Sequence, residues 1–159
     1  MKISDQIKNL LEDNNCEFEM FKHEPVRTSE DAAKTRLGIT LHQGAKALIC
    51  EAKFSNGEKK PIMIVLPADM KANFKSVRKL IGAKDLYLIP PQDVLKLTGI
   101  EVGGVPPFGN LLGLEVYVDK GLFENEKIAF NAGDRTISVI MKSEDFERLV
   151  KPTIGEFAK

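Results

Sequence analysis

Lys46 stands inside an apolar run, Ala45-Lys46-Ala47-Leu48-Ile49-Cys50, where a cation asks for a chemical explanation. A strand over 45–54 would put Lys46, Leu48 and Cys50 on one side and Ala47 and Ile49 on the other. The ammonium then either faces a cleft or snorkels from a strand edge to water. In a cleft it attracts a phosphate or carboxylate, or stabilises oxygen charge that develops during acyl transfer. The segment Gly103-Gly104-Val105-Pro106-Pro107-Phe108-Gly109 is a second candidate. Its glycines permit close backbone approach to a ligand, its prolines stiffen the path and Phe108 offers an apolar wall; a purely structural crossover would use the same residue types. Asn131-Ala132-Gly133, a turn of small residues after a strand, is the third. Its backbone N–H groups either meet a substrate oxygen or simply close a hairpin.

Other chemistry has less support. Cys50 with His23 or His42 as base would make a nucleophile pair, but no spacing establishes it and a core cysteine is the plainer reading. His23, beside Glu24 and Pro25 at a strand end, is placed to line a cleft; His42 lies in a polar loop and is expected to be exposed. There is no G-x-S-x-G elbow and no GxxxxGK[ST] loop, and Gly103-Gly104 runs into prolines where a dinucleotide fold needs a helix. Two cysteines without CxxC or Cys/His ligand spacing argue against a structural metal site.

The elements that must position these residues are legible from periodicity. Ile3, Ile7, Leu10 and Leu11 recur at helical spacing, and Cys16, Phe18 and Met20 then alternate with Glu17 and Glu19 as a half-buried strand. Thr28 with Asp31 reads as the start of a helix that Gly38 ends. Asn56-Gly57 predicts a hairpin joining the Lys46 strand to Pro61–Leu66. Asp69 is expected to cap a helix with the stripe Met70, Phe74, Val77 and Ile81, closed by Gly82. A short strand (86–89), a short helix (92–97), strands over 114–118, 127–130 and 136–141, and a final helix from Ser143 complete the pattern. Residues 98–112 are too rich in glycine and proline for regular structure, and 152–159 are expected to form a loosely held tail. Helices scattered among hairpin-linked strands imply an α/β fold of the mixed α+β kind: one domain over 1–159, with a mixed, partly barrel-like sheet surrounded by helices.

Composition is that of one ordinary globular domain: 159 residues, 43% hydrophobic and 29% charged, with 23 basic residues balancing 23 acidic ones. A chain of zero net charge is not one that coats nucleic acid without discrimination, so DNA is not expected as a partner. Any RNA contact must be local. Residues 59–84 supply the patch, with Lys59, Lys60, Lys71, Lys75, Arg78, Lys79 and Lys84 against Asp69 alone; a normally solvated face is the other reading. The longest apolar stretch, Pro61–Ala68, falls far short of the roughly 20 residues a membrane span needs. The acidic and amidic start is unlike a signal peptide, so a reduced cytoplasmic setting without membrane attachment is expected.

Taken together, His23-x-Pro25-x-x-Thr28, Ala32-Ala33, Leu37-Gly38, Lys46-Ala-Leu-Ile, Leu80-Ile-Gly-Ala-Lys84, Leu97-Thr-Gly99, Gly103-Gly-Val-Pro-Pro-Phe-Gly109 and Asn131-Ala-Gly133 closely resemble the YbaK/ProX family. The resemblance covers about residues 16 to 150. That family comprises free-standing aminoacyl-tRNA deacylases and the editing domain inserted in bacterial prolyl-tRNA synthetases. The resemblance implies hydrolysis of the ester between a misattached amino acid and tRNA, with tRNAPro carrying cysteine or alanine as the expected substrate, prolyl-tRNA synthetase as a possible partner, and no metal or organic cofactor. It implies that Lys46, Gly103 and Gly104 are catalytic. His23, Thr28, Ala47, Leu48, Val105, Pro106, Phe108, Asn131, Ala132 and Gly133 would surround the substrate, and Lys71, Lys75, Arg78, Lys79 and Lys84 would contact tRNA. Two departures bear on specificity: Ala47 replaces a threonine common after the lysine, and Asn131 replaces a serine found in some branches. The competing readings are a non-catalytic module that binds tRNA or a synthetase, and a hydrolase of free amino acid esters.

Overall fold

The computed structural model describes residues 1–25 and 38–159, so the expected Thr28 helix lies outside the described residues. Helix α1 (Ile3–Asp13) buries Ile7 and Leu11 completely and leads into strand β1 (Phe18–Lys22). Strands β2 (Ala45–Lys53) and β3 (Lys59–Pro67) form the expected antiparallel hairpin, with Gly57 at φ 88° in its turn. Helix α2 (Phe74–Ile81), strand β4 (Asp85–Leu88) and helix α3 (Pro91–Thr98) follow. Next come strands β5 (Glu115–Asp119), β6 (Lys127–Asn131) and β7 (Ile137–Lys142), helix α4 (Ser143–Val150) and strand β8 (Thr153–Gly155).

The strands make two sheets and do not close into a barrel. One is antiparallel in the order β1-β7-β6; the other is mixed, in the order β4-β2-β3-β5-β8, with β3, β5 and β8 parallel. They touch at a parallel bridge between Gly44 and Ala129. The apolar run 61–68 is explained by β3, which is covered on both faces. Its Met63 and Val65 join the main core between the sheets, α1 and α4, while Ile62, Ile64 and Leu66 pack with Val77 of α2 and Phe157. On β2 the expected alternation holds: Ala45, Ala47 and Ile49 face the main core, and Leu48 and Cys50 face the second cluster. Among the described residues no helix is long and apolar enough to cross a membrane.

Two expectations are corrected. Asp69 does not cap α2; Asn73 does, its Oδ1 accepting from Lys75 N and Ser76 N, because residues 71–72 are first held extended by pairing with 158–159. The segment after Pro152 is packed, not loose: β8 joins β5, Phe157 is 2% exposed, and Asp119 Oδ1 accepts from both Phe157 N and Ala158 N.

Candidate functional site

Lys46 sits at the second position of β2, on the face turned away from the main core. Its Nζ donates to the Met70 carbonyl at 2.6 Å. Burial lowers its pKa from the ordinary lysine value and Lys71 adds to that, against the opposing pull of Asp69. The ammonium is thus partly desolvated and held beside a second cation, an arrangement that favours an incoming anion. Asp69 itself engages His42, whose Nδ1 lies 2.9 Å from Asp69 Oδ1 and whose Nε2 lies 3.6 Å from Glu124 Oε2. His42 is therefore tied into the loop beneath Lys46 instead of standing free in solvent.

The Gly44–Ala129 bridge relates Lys46 to the other candidates. The pairing is parallel, so Lys46 and Asn131, each two residues further on, leave the contact in the same direction. Ile128, Phe130 and Ala132 face the main core, so Asn131 faces away from it, as Lys46 does. Register then places Phe21, Ser138 and Asn131 opposite one another across β1, β7 and β6. A line of polar contacts follows: His23 Nε2 is 2.6 Å from Ser138 Oγ, Ser138 Oγ donates to Asn131 Oδ1 at 3.3 Å, and Asn131 Nδ2 donates to the Gly103 carbonyl at 2.6 Å. Gly133 N donates to the Gly104 carbonyl at 2.7 Å, and Arg135 pairs with Glu101 at 2.6 Å. The glycine-rich loop and the 131–133 turn are therefore clamped together.

Close packing accounts for the glycines. Gly103 has φ 97°, and a Cβ on Gly104 would lie 3.3 Å from Asp134 N. Gly133, at φ 91°, is pressed against α1 so closely that a Cβ would sit 1.9 Å from Ile3 Cγ2. The N–H groups of Gly104, Ala132 and Gly133 are taken by the Glu101, Ile137 and Gly104 carbonyls, which removes them as donors to a substrate oxygen. Their role here is to hold the two loops in register.

Several expected substrate contacts are not brought to this face. Phe108 is wholly buried between Phe130 and Phe146, with ring centroids 5.5 Å from each, so it is core. Ala132 and Ala47 also face the main core, Val105 packs against it, and Pro106 is buried. Leu48 shares the Lys46 face but joins the cluster under α2. Thr28 lies outside the described residues. Cys50 is wholly buried and its thiol is pushed up to about 12 by that burial, which disqualifies it as a nucleophile. Two residues were missed, Ser138 and Phe21, whose ring lies 5.8 Å from that of His23. The signal was available: Ser138 interrupts the apolar strand Ile137–Met141, and Phe21 is on the opposite parity to Phe18 and Met20.

On α2, Lys75 and Lys79 are exposed, as are Lys71 before it and Lys84 after it, and Arg78 donates to the Lys84 carbonyl at 3.2 Å. Among the described residues none of these five forms an ion pair, whereas Lys60 is held by Glu115 at 3.0 Å. The backbone ladder between Lys71 and Lys159 adds a further lysine to the strip that starts beside Lys46.

Comparison with known proteins yields three findings. The profile of the aminoacyl-tRNA editing domain family matches residues 23–149. The multifunctional Ser/Thr-tRNA deacylase ProXp-y of Escherichia coli (strain K12) is 36% identical over 151 residues, covering 94% of this chain and 89% of that protein, and the prolyl-tRNA editing protein ProX of Acetoanaerobium sticklandii is 25% identical over 151 residues, covering 92% and 90%. A solved structure of a candidate trans-editing enzyme for prolyl-tRNA synthetase shares the fold, with a TM-score of 0.80 at 19% identity over 100% of this chain and 98% of that one.

Proposed function

This chain belongs to the aminoacyl-tRNA editing domain family, and from that premise we propose that it is an aminoacyl-tRNA deacylase that works on misacylated tRNA in trans, in the cytoplasm. The observation that carries this reading is the common placement of Lys46, near the start of β2, and the His23–Ser138–Asn131 line, which reaches the end of β6: Lys46 and Asn131 each lie two residues beyond the parallel Gly44–Ala129 bridge and face away from the core.

The chemistry needs no side-chain nucleophile. Water adds to the ester carbonyl, the bond from that carbon to the ribose oxygen breaks, and the departing hydroxyl takes up the proton that water gives up. Lys46 supplies positive charge for the terminal phosphate or for the oxygen charge that develops, and positioning supplies much of the remaining acceleration for an already activated ester. Because the N–H groups of Gly104, Ala132 and Gly133 are already bonded, the glycine loop acts by fixing Asn131. Phe21 lies opposite Ser138 with its ring 5.8 Å from that of His23, and these two would sense the size of the amino acid. The strip of Lys71, Lys75, Arg78, Lys79 and Lys84, without ion pairs among the described residues, would contact acceptor-stem phosphates.

A small amino acid fits this reading. Serine and threonine come first, because the Escherichia coli relative is named for them; alanine or cysteine on tRNAPro is the second reading, favoured by the relative named as a prolyl-tRNA editing protein, and with it an association with prolyl-tRNA synthetase. The test is release of amino acid from tRNAs charged separately with serine, threonine, alanine, cysteine and proline, with Lys46→Ala as the matched variant. Release of one or two non-cognate residues, reduced by about 100-fold or more in the variant, is expected. Binding without release across the panel would favour a non-catalytic module, and cleavage of free amino acid esters with no benefit from tRNA would favour a small-ester hydrolase.

A further inference from the structure

Ser138 is the single polar residue in Ile137-Ser138-Val139-Ile140-Met141, and it is wholly buried on the face of β7 turned away from the main core. Burying a hydroxyl costs free energy unless hydrogen bonds are supplied. Here two residues of the candidate site lie within reach, His23 Nε2 at 2.6 Å and Asn131 Oδ1 at 3.3 Å, and the hydroxyl gives its one hydrogen to one of them at a time. The other ring nitrogen, Nδ1, lies 2.7 Å from the Glu24 carbonyl, which can only accept, so Nδ1 carries a hydrogen. The same logic orients Asn131. The Gly103 carbonyl requires a donor, so the amide nitrogen faces the glycine loop and Oδ1 faces Ser138.

We infer that Ser138 is a positioning residue for the deacylation reaction: its hydroxyl sets the His23 ring and the Asn131 carboxamide relative to each other while touching no substrate. A serine oxygen 2.6 Å from a histidine nitrogen also has the geometry of a nucleophile and its base. A wholly buried Oγ cannot reach an ester carried on tRNA, so that role is excluded and the positioning role remains. The end of β1, 115 residues away in sequence, is joined to both arms of the β6–β7 hairpin through this one oxygen. Its loss would leave the ring held through Nδ1 and the amide through Gly103 but uncouple one from the other, without removing any group that meets the substrate. The inference rests on the site assignment made for the proposed function.

The test compares Ser138→Ala with Ser143→Ala, which removes another buried hydroxyl, one that donates to the Asn125 carbonyl at 2.6 Å and has no contact with the site. The chain has two histidines, so labelling the imidazole nitrogens gives a direct view of His23 beside His42. Ser138→Ala is expected to shift the His23 Nε2 resonance and leave His42 unmoved; Ser143→Ala is expected to leave both. In deacylation, Ser138→Ala should lower kcat by about tenfold or more while KM changes less than about threefold, at a loss of melting temperature similar to that of Ser143→Ala. Ser138→Cys, close in size but a weak donor, should act in the same direction and stands in if the alanine variant fails to fold. An unmoved His23 resonance overturns the inference, as does a kcat loss no greater than that of Ser143→Ala. If the wild-type protein releases no amino acid from any tRNA, the functional reading falls, and the His23 resonance still decides whether Ser138 holds the ring.

Discussion

Replacing Asp119 with alanine removes the acceptor for three backbone donors at once. Its Oδ1 takes Phe157 N at 2.7 Å and Ala158 N at 2.8 Å, and its Oδ2 takes Gly121 N at 2.8 Å, in a residue only 4% exposed. Bonds to a carboxylate are worth about 1.5–3 kcal/mol each, and a buried donor left unpaired loses that in full. Ala158 is only partly buried, so water would recover part of its bond. The net expectation is a loss of about 3–5 kcal/mol, or about 6–20 °C of melting temperature for a domain of this size. The damage should also reach the site. Residues 157–159 hold Lys71 through paired bonds of 2.9 and 2.8 Å, and Met70, next in the chain, supplies the carbonyl that Lys46 Nζ meets. Circular dichroism melting combined with hydrogen exchange at the Phe157 and Ala158 amides measures both effects. Asp119→Asn, which keeps one acceptor oxygen but turns an NH2 group toward Gly121, should fall between. A melting temperature within about 2 °C of wild type, with both amides still protected, would refute the reasoning.

The other expectations follow the same contacts. Gly133→Ala forces a methyl group to within 1.9 Å of Ile3 at φ 91°, so it should destabilise the protein by about 2 kcal/mol or more and lower deacylation, with partial recovery in Gly133→Ala/Ile3→Ala; full stability of the single variant would contradict the packing. Phe108→Ala should cost about 3–5 kcal/mol of stability, whereas Phe21→Ala should leave the melt nearly unchanged and alter which amino acid is released. Cys50 should resist alkylation in the folded protein and react in urea, and Cys50→Ala should retain activity. Because the folded thiol titrates at about 12 against an ordinary value of 9.0, its contribution to stability is complete below pH 9.0 and is lost as pH rises from there toward about 12. Neutralising Lys71, Lys75 and Lys79 together as glutamines should weaken binding of several tRNAs alike and flatten the dependence of log K on log salt by about 2–3; an unchanged slope would remove the strip from the tRNA interface.

Local pattern carried most of the elements. Parity alone put Lys46, Leu48 and Cys50 on one face of β2 and Ala47 and Ile49 on the other, and Asn56-Gly57 and Gly82 marked a turn and a helix end that the structure contains. What failed depended on contacts between residues far apart in the chain. Asp69 is as good a capping residue as Asn73, but pairing of 71–72 with the chain end delays the helix until Phe74. The end itself reads as a tail because the partner that orders it, Asp119, is a lone carboxylate at a strand end with nothing nearby in sequence to mark its role. Phe108, in a loop of glycines and prolines, reads as a wall for a ligand; only the convergence of Phe130 and Phe146 makes it core.

The same distinction explains why the candidate site residues are legible singly and their relation is not. Lys46 is visible as a charge in an apolar strand, and Asn131 as the polar head of a small-residue turn, but nothing in either segment aligns them. The alignment comes from one parallel bridge, Gly44 to Ala129. Glycine suits that point because a Cβ on Gly44 would lie 3.0 Å from the Ala68 Cβ and 3.1 Å from the Leu41 carbonyl. A side chain there would press against Ala68, on the turn that leads to Met70, or move β2 away from β6, and either shift would part Lys46 from Asn131. Gly44 thus helps to align the candidate site without touching its chemistry.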